Sequence, residues 1–314
     1  MICVLYVTAV GLLLGICGLL VERSLPASMA RRWIWCLTIP ASLAVPGFYK
    51  SHHSALVSQI PDPPFVPMRA GWLTRLGSHD ALIGNVWFAI SLVLLAWTVA
   101  HAGWVSHVVH ASRRMRHTSR ELDVVDSIPV VVTRTLGPAT VGVWHARVLL
   151  PAWVLTLPGI ERRYIVRHEE EHRRANDGRL RFLASMLVII MPWNVALWWQ
   201  LRRLSLAIEV DCDRRVVRAL GDARRYGELL LKVALAASSA TRLHRLQPAL
   251  LGGMGMLERR LSVLLAPVAL RTARRCELVV LAALLLATVL AMPHPVMRAA
   301  HPHGVLSAHH MAAR

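Results

Sequence analysis

Two histidines four residues apart enclose a glutamate in the stretch Glu161-Arg-Arg-Tyr-Ile-Val-Arg-His168-Glu169-Glu170-Glu171-His172-Arg-Arg174, which carries the pattern H-E-x-x-H. On a helix each residue advances about 100°, so His168 and His172 stack on one face roughly 6 Å apart. From there two neutral imidazoles can take two corners of a zinc tetrahedron. Glu169 lies one residue further round, off the ligand axis, where its carboxylate can take a proton from water as a general base. The same stretch, rich in Glu and Arg, could equally be a solvated face laced with ion pairs. A metal site requires a third ligand.

Glu209 is the candidate. It sits in Ile208-Glu209-Val210-Asp211-Cys212-Asp213, inside a helix predicted over residues 201–220. Its apolar neighbours make a lone carboxylate costly there unless it is paired or metal-bound. Asp213, one turn on, shares its face and could accept the far N–H of a ligand histidine. The alternative is an ordinary ion pair to Arg202, Arg203, Arg214 or Arg215.

The elements that must position these residues belong to a mainly α, polytopic membrane protein. Hydrophobic residues make up 55% of the 314 and charged residues only 17%, and the apolar ones fall in long runs. Residues 2–21, 33–47, 81–105 and 278–292 (extended to 296) are each read as a crossing. The first lacks a basic residue ahead of it and is too long for a signal peptide's core, so it reads as a retained anchor. The net charge of +18 comes mostly from arginine, and 28 of the 36 Lys and Arg lie between residues 106 and 276. That excess predicts a cytoplasmic middle region in an inner, multi-pass membrane protein, with both termini outward. The domains expected are three spans with an outward loop at 48–80 (1–105), a cytoplasmic domain (106–276), a fourth span (277–296) and a short His-rich outward tail (297–314). Basic residues 107–120 suit anionic lipid headgroups. No stacking aromatics are interleaved with them, which argues against direct nucleic-acid binding. The five cysteines form no paired spacing and read as reduced packing residues.

Only residues 128–150 look like strands. Segments 128–134, 139–143 and 147–150, broken at Gly137-Pro138, predict a small antiparallel sheet, either a scaffold or an edge to which an extended peptide could add. The metal helix is predicted from about Pro158 to residues 176–178. The apolar run 182–199 cannot cross the membrane once, because Glu209 would then lie on the wrong side, and is too short to cross twice. It is expected to form a re-entrant or buried hairpin broken near Pro192-Trp-Asn194.

Taken in order, G-x-x-x-x-R-V-L-L-P (142–151), H-E-x-x-H followed by Asp177, an apolar segment with P-W-N, and E-x-x-C-D (209–213) resemble the BlaR/MecR-type membrane metallopeptidases. Those are the signal transducers of inducible β-lactam resistance and their relatives. The resemblance covers roughly residues 80–290. It implies a zincin-like peptidase domain with zinc on His168, His172 and Glu209, Glu169 as general base, and Asp213 and Asp177 supporting the ligands. It implies a zinc metalloendopeptidase acting at the cytoplasmic face on a protein substrate, a cytoplasmic repressor or the protease itself. Tyr226, the nearest downstream phenol, is a candidate oxyanion donor, with core packing as the alternative.

Three departures stand out. Glu170 and Glu171 replace commonly uncharged residues, which suggests a site open to the cytosol or an altered affinity, and Ala146 stands where proline is common. The chain also stops 22 residues after Met292, and no Ser precedes Lys50 or Lys232 by three, so covalent β-lactam binding is not expected. The tail histidines (294, 301, 303, 309, 310) suit a disordered tail or an outward metal sensor. Two rival readings remain: a quality-control protease of the HtpX/Ste24 kind, and a catalytically inert membrane receptor or scaffold.

Overall fold

A computed structural model of the chain describes residues 2–25, 30–56, 80–114, 123–133, 137–239, 253–265 and 272–291. Most of the expected outward loop, part of the basic stretch 107–120 and the His-rich tail fall outside these residues. The protein is mostly helical, with one small sheet.

Helices α1 (Ile2–Ser24), α2 (Arg32–Leu56) and α3 (Asp80–Arg114) precede the sheet, and α9 (Thr272–Ala291) is the last described element. Among the described residues two windows, Val4–Ser24 and Gly84–Trp104, are long and apolar enough to cross a membrane, against the four crossings expected. Their 21 residues each give about 31 Å of helix, matching roughly 30 Å of hydrocarbon. Helix α9 packs along α1, where Val289 joins Tyr6, Val10 and Leu14 in a buried cluster.

The sheet corrects one expectation. Strands β1 (Asp123–Val125), β2 (Ile128–Thr133), β3 (Ala139–Val141) and β4 (Arg147–Pro151) lie in the order β1-β2-β4-β3. β2 and β4 are parallel, while β1–β2 and β3–β4 are antiparallel, so the sheet is mixed. The reason is burial. Val148, Leu149 and Leu150 are each fully buried, so β4 takes an interior place between β2 and β3 with both faces covered. That leaves β3 at an edge. β1 and β2 turn through Asp126 and Ser127, both at positive φ (52° and 67°), which suits a tight two-residue hairpin.

Below the sheet run α4 (Gly159–Arg174), α5 (Asp177–Ile190), α6 (Val195–Leu220), α7 (Ala223–Ser239) and α8 (Gly253–Leu265). α4 ends two residues earlier than expected, because Asn176 takes the left-handed conformation (φ 55°) and Asp177 opens a new helix. α5 ends at Ile190, and Asn194 caps α6 by accepting from the main-chain N–H of Ala196 and Leu197 at 3.1 and 3.4 Å. Thus the chain breaks at Pro192-Trp-Asn194, and the Ile190 carbonyl left free there accepts from Trp87 Nε1 at 2.8 Å. α6 begins six residues earlier than expected, since nothing in 195–201 interrupts a helix. The returning arm and the segment bearing Glu209 are therefore one rod.

This hairpin packs against α1 and α2. Trp35 and Ile39 of α2 share a buried cluster with Ala184, Val188, Leu197, Leu204 and Ile208. Small residues let α1 approach closely: a Cβ on Gly15 would meet the Trp199 ring at 2.3 Å, and one on Gly11 would meet Ala196 at 3.2 Å. Buried Gln200 donates to the Gly11 carbonyl at 2.7 Å and to the Ser42 hydroxyl at 3.0 Å.

Candidate metal centre

α4 presents His168 and His172 one turn apart, with their Nε2 atoms 3.2 Å from each other. Across from them α6 presents Glu209, whose Oε2 is 3.6 Å from His168 Nε2 and whose Oε1 is 3.6 Å from His172 Nε2. Two ligands of a tetrahedral zinc, each about 2.05 Å from the ion, stand roughly 3.3 Å apart. The triangle of donors, two imidazole nitrogens and a carboxylate, therefore fits that ion in chemistry and in spacing.

The far side of each ring is also held. His172 Nδ1 is 2.8 Å from Asp177 Oδ2. His168 Nδ1 is 2.9 Å from the Tyr226 hydroxyl, which in turn donates to Asp213 Oδ1 at 2.8 Å. Asp213 itself is 3.5 Å from His168 Nδ1, so its support of that ring passes mainly through Tyr226. With each Nδ1 facing an outward partner, each Nε2 is the nitrogen that faces Glu209 and would offer its lone pair to a metal. Tyr226 thus stands behind the His168 ring as well as on the cavity wall, and its role is more than packing.

A second donor set lies close by: His168, His172 and Cys212 have ligand atoms within 4.8 Å of one another. Of the two, Glu209 is the candidate that faces the cavity. Cys212 is fully buried, donates to the His168 carbonyl at 3.3 Å, and touches the ring at Nδ1, the nitrogen turned away from His172. Glu209 instead lines the cavity, where a catalytic metal keeps an open position.

That cavity, about 470 Å³, is also lined by Thr140, Glu169, Arg181, Tyr226 and Arg260, with an apolar wall from α7 and α8. Glu169 is held by Thr140 of β3, whose hydroxyl reaches its carboxylate at 3.0 Å and its main-chain carbonyl at 2.6 Å. Glu170 and Glu171 are both buried and do not open the site. Glu170 pairs with Arg173 and Arg174, and Glu171 with Arg167 and Arg215, away from the cavity.

Charge inside the site is nearly balanced. Arg260 makes two bonds to Asp213, at 2.7 and 2.8 Å, and lies 3.1 Å from Glu209, which also accepts from Arg181. Burial pushes the Glu209 carboxyl up, but Arg260, the His172 ring and Arg181 outweigh it and hold it well below the usual carboxylate range. Burial pulls His168 down, yet the Cys212 sulfur and the Glu209 hydrogen bond push it up to about 10. His172 is likewise raised, with Glu209 and Cys212 outweighing burial.

The cationic partners of Glu209 are therefore not the four arginines nearest in sequence. Arg181, Arg260 and Thr140 carried no local signal of their role, since each arrives from a different element.

The protein-family model described as BlaR1 peptidase M56 matches residues 73–264, which takes in the sheet, the histidine helix, the hairpin and Glu209. The chain belongs to this M56 peptidase family. Regulatory protein BlaR1 of Bacillus licheniformis is 26% identical over 98 residues, covering 31% of this chain and 16% of that protein. The chain thus matches only a small part of that relative's length. No solved structure matches it. M56 peptidases are generally metallopeptidases, and the donor set of this chain is of the kind such a family needs.

Proposed function

We propose that this M56 peptidase is an integral-membrane, zinc-dependent endopeptidase with its site on the cytoplasmic face. Its substrate is a regulatory protein, a transcriptional repressor or the protease itself. The observation that carries the reading is the His168, His172 and Glu209 triangle on the wall of a cavity shared with Glu169 and edge strand β3. The cytoplasmic orientation and the four crossings rest on the charge distribution and the apolar runs, and the basic residues 107–120 would meet anionic lipid. The regulatory role rests on the name of the Bacillus relative.

When bound, zinc supplies Lewis-acid polarisation of the scissile carbonyl and makes water a better acid. The rest falls to the chain. An extended peptide can pair with β3, which among the described residues has β4 on one side only. Glu169 takes the proton from the attacking water and returns it to the leaving amine, so that water is added across the C–N bond. Thr140 fixes the carboxylate for both transfers, and it sits on the same strand that would align the peptide.

Zinc content of detergent-purified protein, beside His168→Ala and Glu209→Ala, tests the metal centre. About one zinc in the parent and loss in both variants is expected. Comparing cellular protein termini with and without Glu169→Gln tests the peptidase, and products that depend on Glu169 are expected. A metal-free parent would favour the inert-receptor reading, since Arg181 and Arg260 already satisfy Glu209 without an ion.

A further inference from the structure

The start of α2 lies more than a hundred residues from the histidine pair in sequence, yet it reaches the candidate metal centre. Arg32, the first residue of α2, donates through its guanidinium to Asp177 Oδ1 at 2.8 Å. The other oxygen of the same carboxylate holds His172 Nδ1 at 2.8 Å, with a longer contact from Arg215 at 3.3 Å. Asp177 is 2% exposed and the Arg32 side chain 13%, so this charge-assisted bond is shielded from water, where it is strongest.

Two further sets of contacts fix the start of α2 and the end of α1. The main-chain N–H groups of Arg31 and Arg32 donate to the two oxygens of Asp211, at 3.2 and 3.1 Å, so Asp211 caps α2 from a position on α6 between Glu209 and Asp213. Glu22, near the end of α1, accepts from Trp35 Nε1 at 3.0 Å and from Arg203 of α6 at 2.6 Å. The backbone from which the Arg32 guanidinium reaches Asp177 is thus anchored to α6.

We infer that Arg32 is a positioning residue of the metal centre. It fixes Asp177, which fixes the tautomer and rotation of His172, so the helix pair α1–α2 holds one ligand of the site. The inference rests on His172 being a metal ligand, as proposed above. Groups behind a ligand histidine are worth about 10–100-fold in metal affinity. A guanidinium that orients such a group acts on the same quantity.

Full-length detergent-purified protein can test this, with zinc affinity read by competition with a chelator and unfolding temperature read in parallel. Arg32→Ala is expected to weaken zinc binding about tenfold or more, and Arg32→Lys to recover part of the loss. Adding Arg32→Ala to Asp177→Asn is expected to cost nothing further, because Arg32 acts through Asp177. If Arg32→Ala lowers the unfolding temperature but leaves zinc affinity within about twofold of the parent, the contact is only a tie between helices and the inference fails. Losses that multiply in the double variant would also overturn it. A parent that holds no zinc sinks the proposed function instead. The link is then read in the metal-free protein from Arg32→Ala and His172→Ala, singly and together: coupled shifts in unfolding temperature uphold it, and additive ones overturn it.

Discussion

His172 gives its Nδ1 to Asp177 at 2.8 Å, which leaves Nε2 as the nitrogen facing Glu209. Asp177→Asn keeps the size of the side chain but removes the charge that sets this tautomer. Zinc affinity is expected to fall about 10–100-fold, measured by chelator competition. Stability should fall as well, by roughly 1–3 kcal/mol, because Arg32 and Arg215 lose a buried counter-ion. Unchanged zinc affinity would show that His172 does not bind the metal through Nε2.

The two candidate third ligands make opposite predictions. Cys212→Ser should hold about one zinc per chain, because the thiol meets His168 at Nδ1 and does not line the cavity that Glu209 faces. Glu209→Gln should lose it, and should also lose roughly 3–5 kcal/mol of stability as Arg181 and Arg260 are left with less charge to face. Zinc loss from the serine variant, with retention in the glutamine variant, would reverse the assignment.

Metal uptake should release protons. In the metal-free protein His168 is pushed up to about 10 and His172 is raised with it, so at neutral pH the pair holds a proton that a ligand ring cannot keep. Calorimetry in two buffers of different ionisation enthalpy should find about one proton or more released per zinc at pH 7. Affinity should fall about tenfold per pH unit and per proton as the solution is acidified. Without zinc the sign is opposite. The raised His168 stabilises the fold fully below its unfolded value of about 6.5, and that stabilisation is lost as pH rises through about 10. Zinc binding that is indifferent to pH would contradict the raised values.

Tyr226→Phe separates support behind a ligand from transition-state stabilisation. The variant loses the hydroxyl that joins His168 to Asp213, so zinc should bind about tenfold more weakly. Saturating zinc should then restore kcat. An oxyanion donor would behave differently, with kcat down about 100-fold or more even at full occupancy.

How much of this was legible in the sequence depended on distance along the chain. His168, Glu169 and His172 share one helical turn, so their relation follows from helix geometry alone. Asp177 and the break at Pro192-Trp-Asn194 are also local, because Pro and Asn act on their immediate neighbours. Glu209 could be nominated from its spacing, but its approach to both rings is a product of packing between α4 and α6. The parallel pairing of β2 with β4 had no local signal, because it reflects which strand buries best. Tyr226, Arg260 and Arg32 reach the site from elements 58, 47 and 145 residues from their partners, and no periodicity reports such a meeting.

Asn194, at the tip of the α5–α6 hairpin, lies beside Gly11 of α1, while Arg203 higher on α6 is bonded to Glu22. Eleven residues of α1 separate these two levels, about 16 Å, or half of the roughly 30 Å of hydrocarbon that α1 can cross. With α1 across the bilayer, as proposed, the hairpin would act as a depth gauge: it would dip to the midplane and return, leaving Glu209 six residues, about 9 Å, beyond the level of Arg203. In that arrangement a peptide bond would be cut only if it came within about a nanometre of the level of Arg203. A substrate bond on a slack or unfolded stretch can descend that far, whereas one locked in a rigid domain held off the membrane stays out of reach.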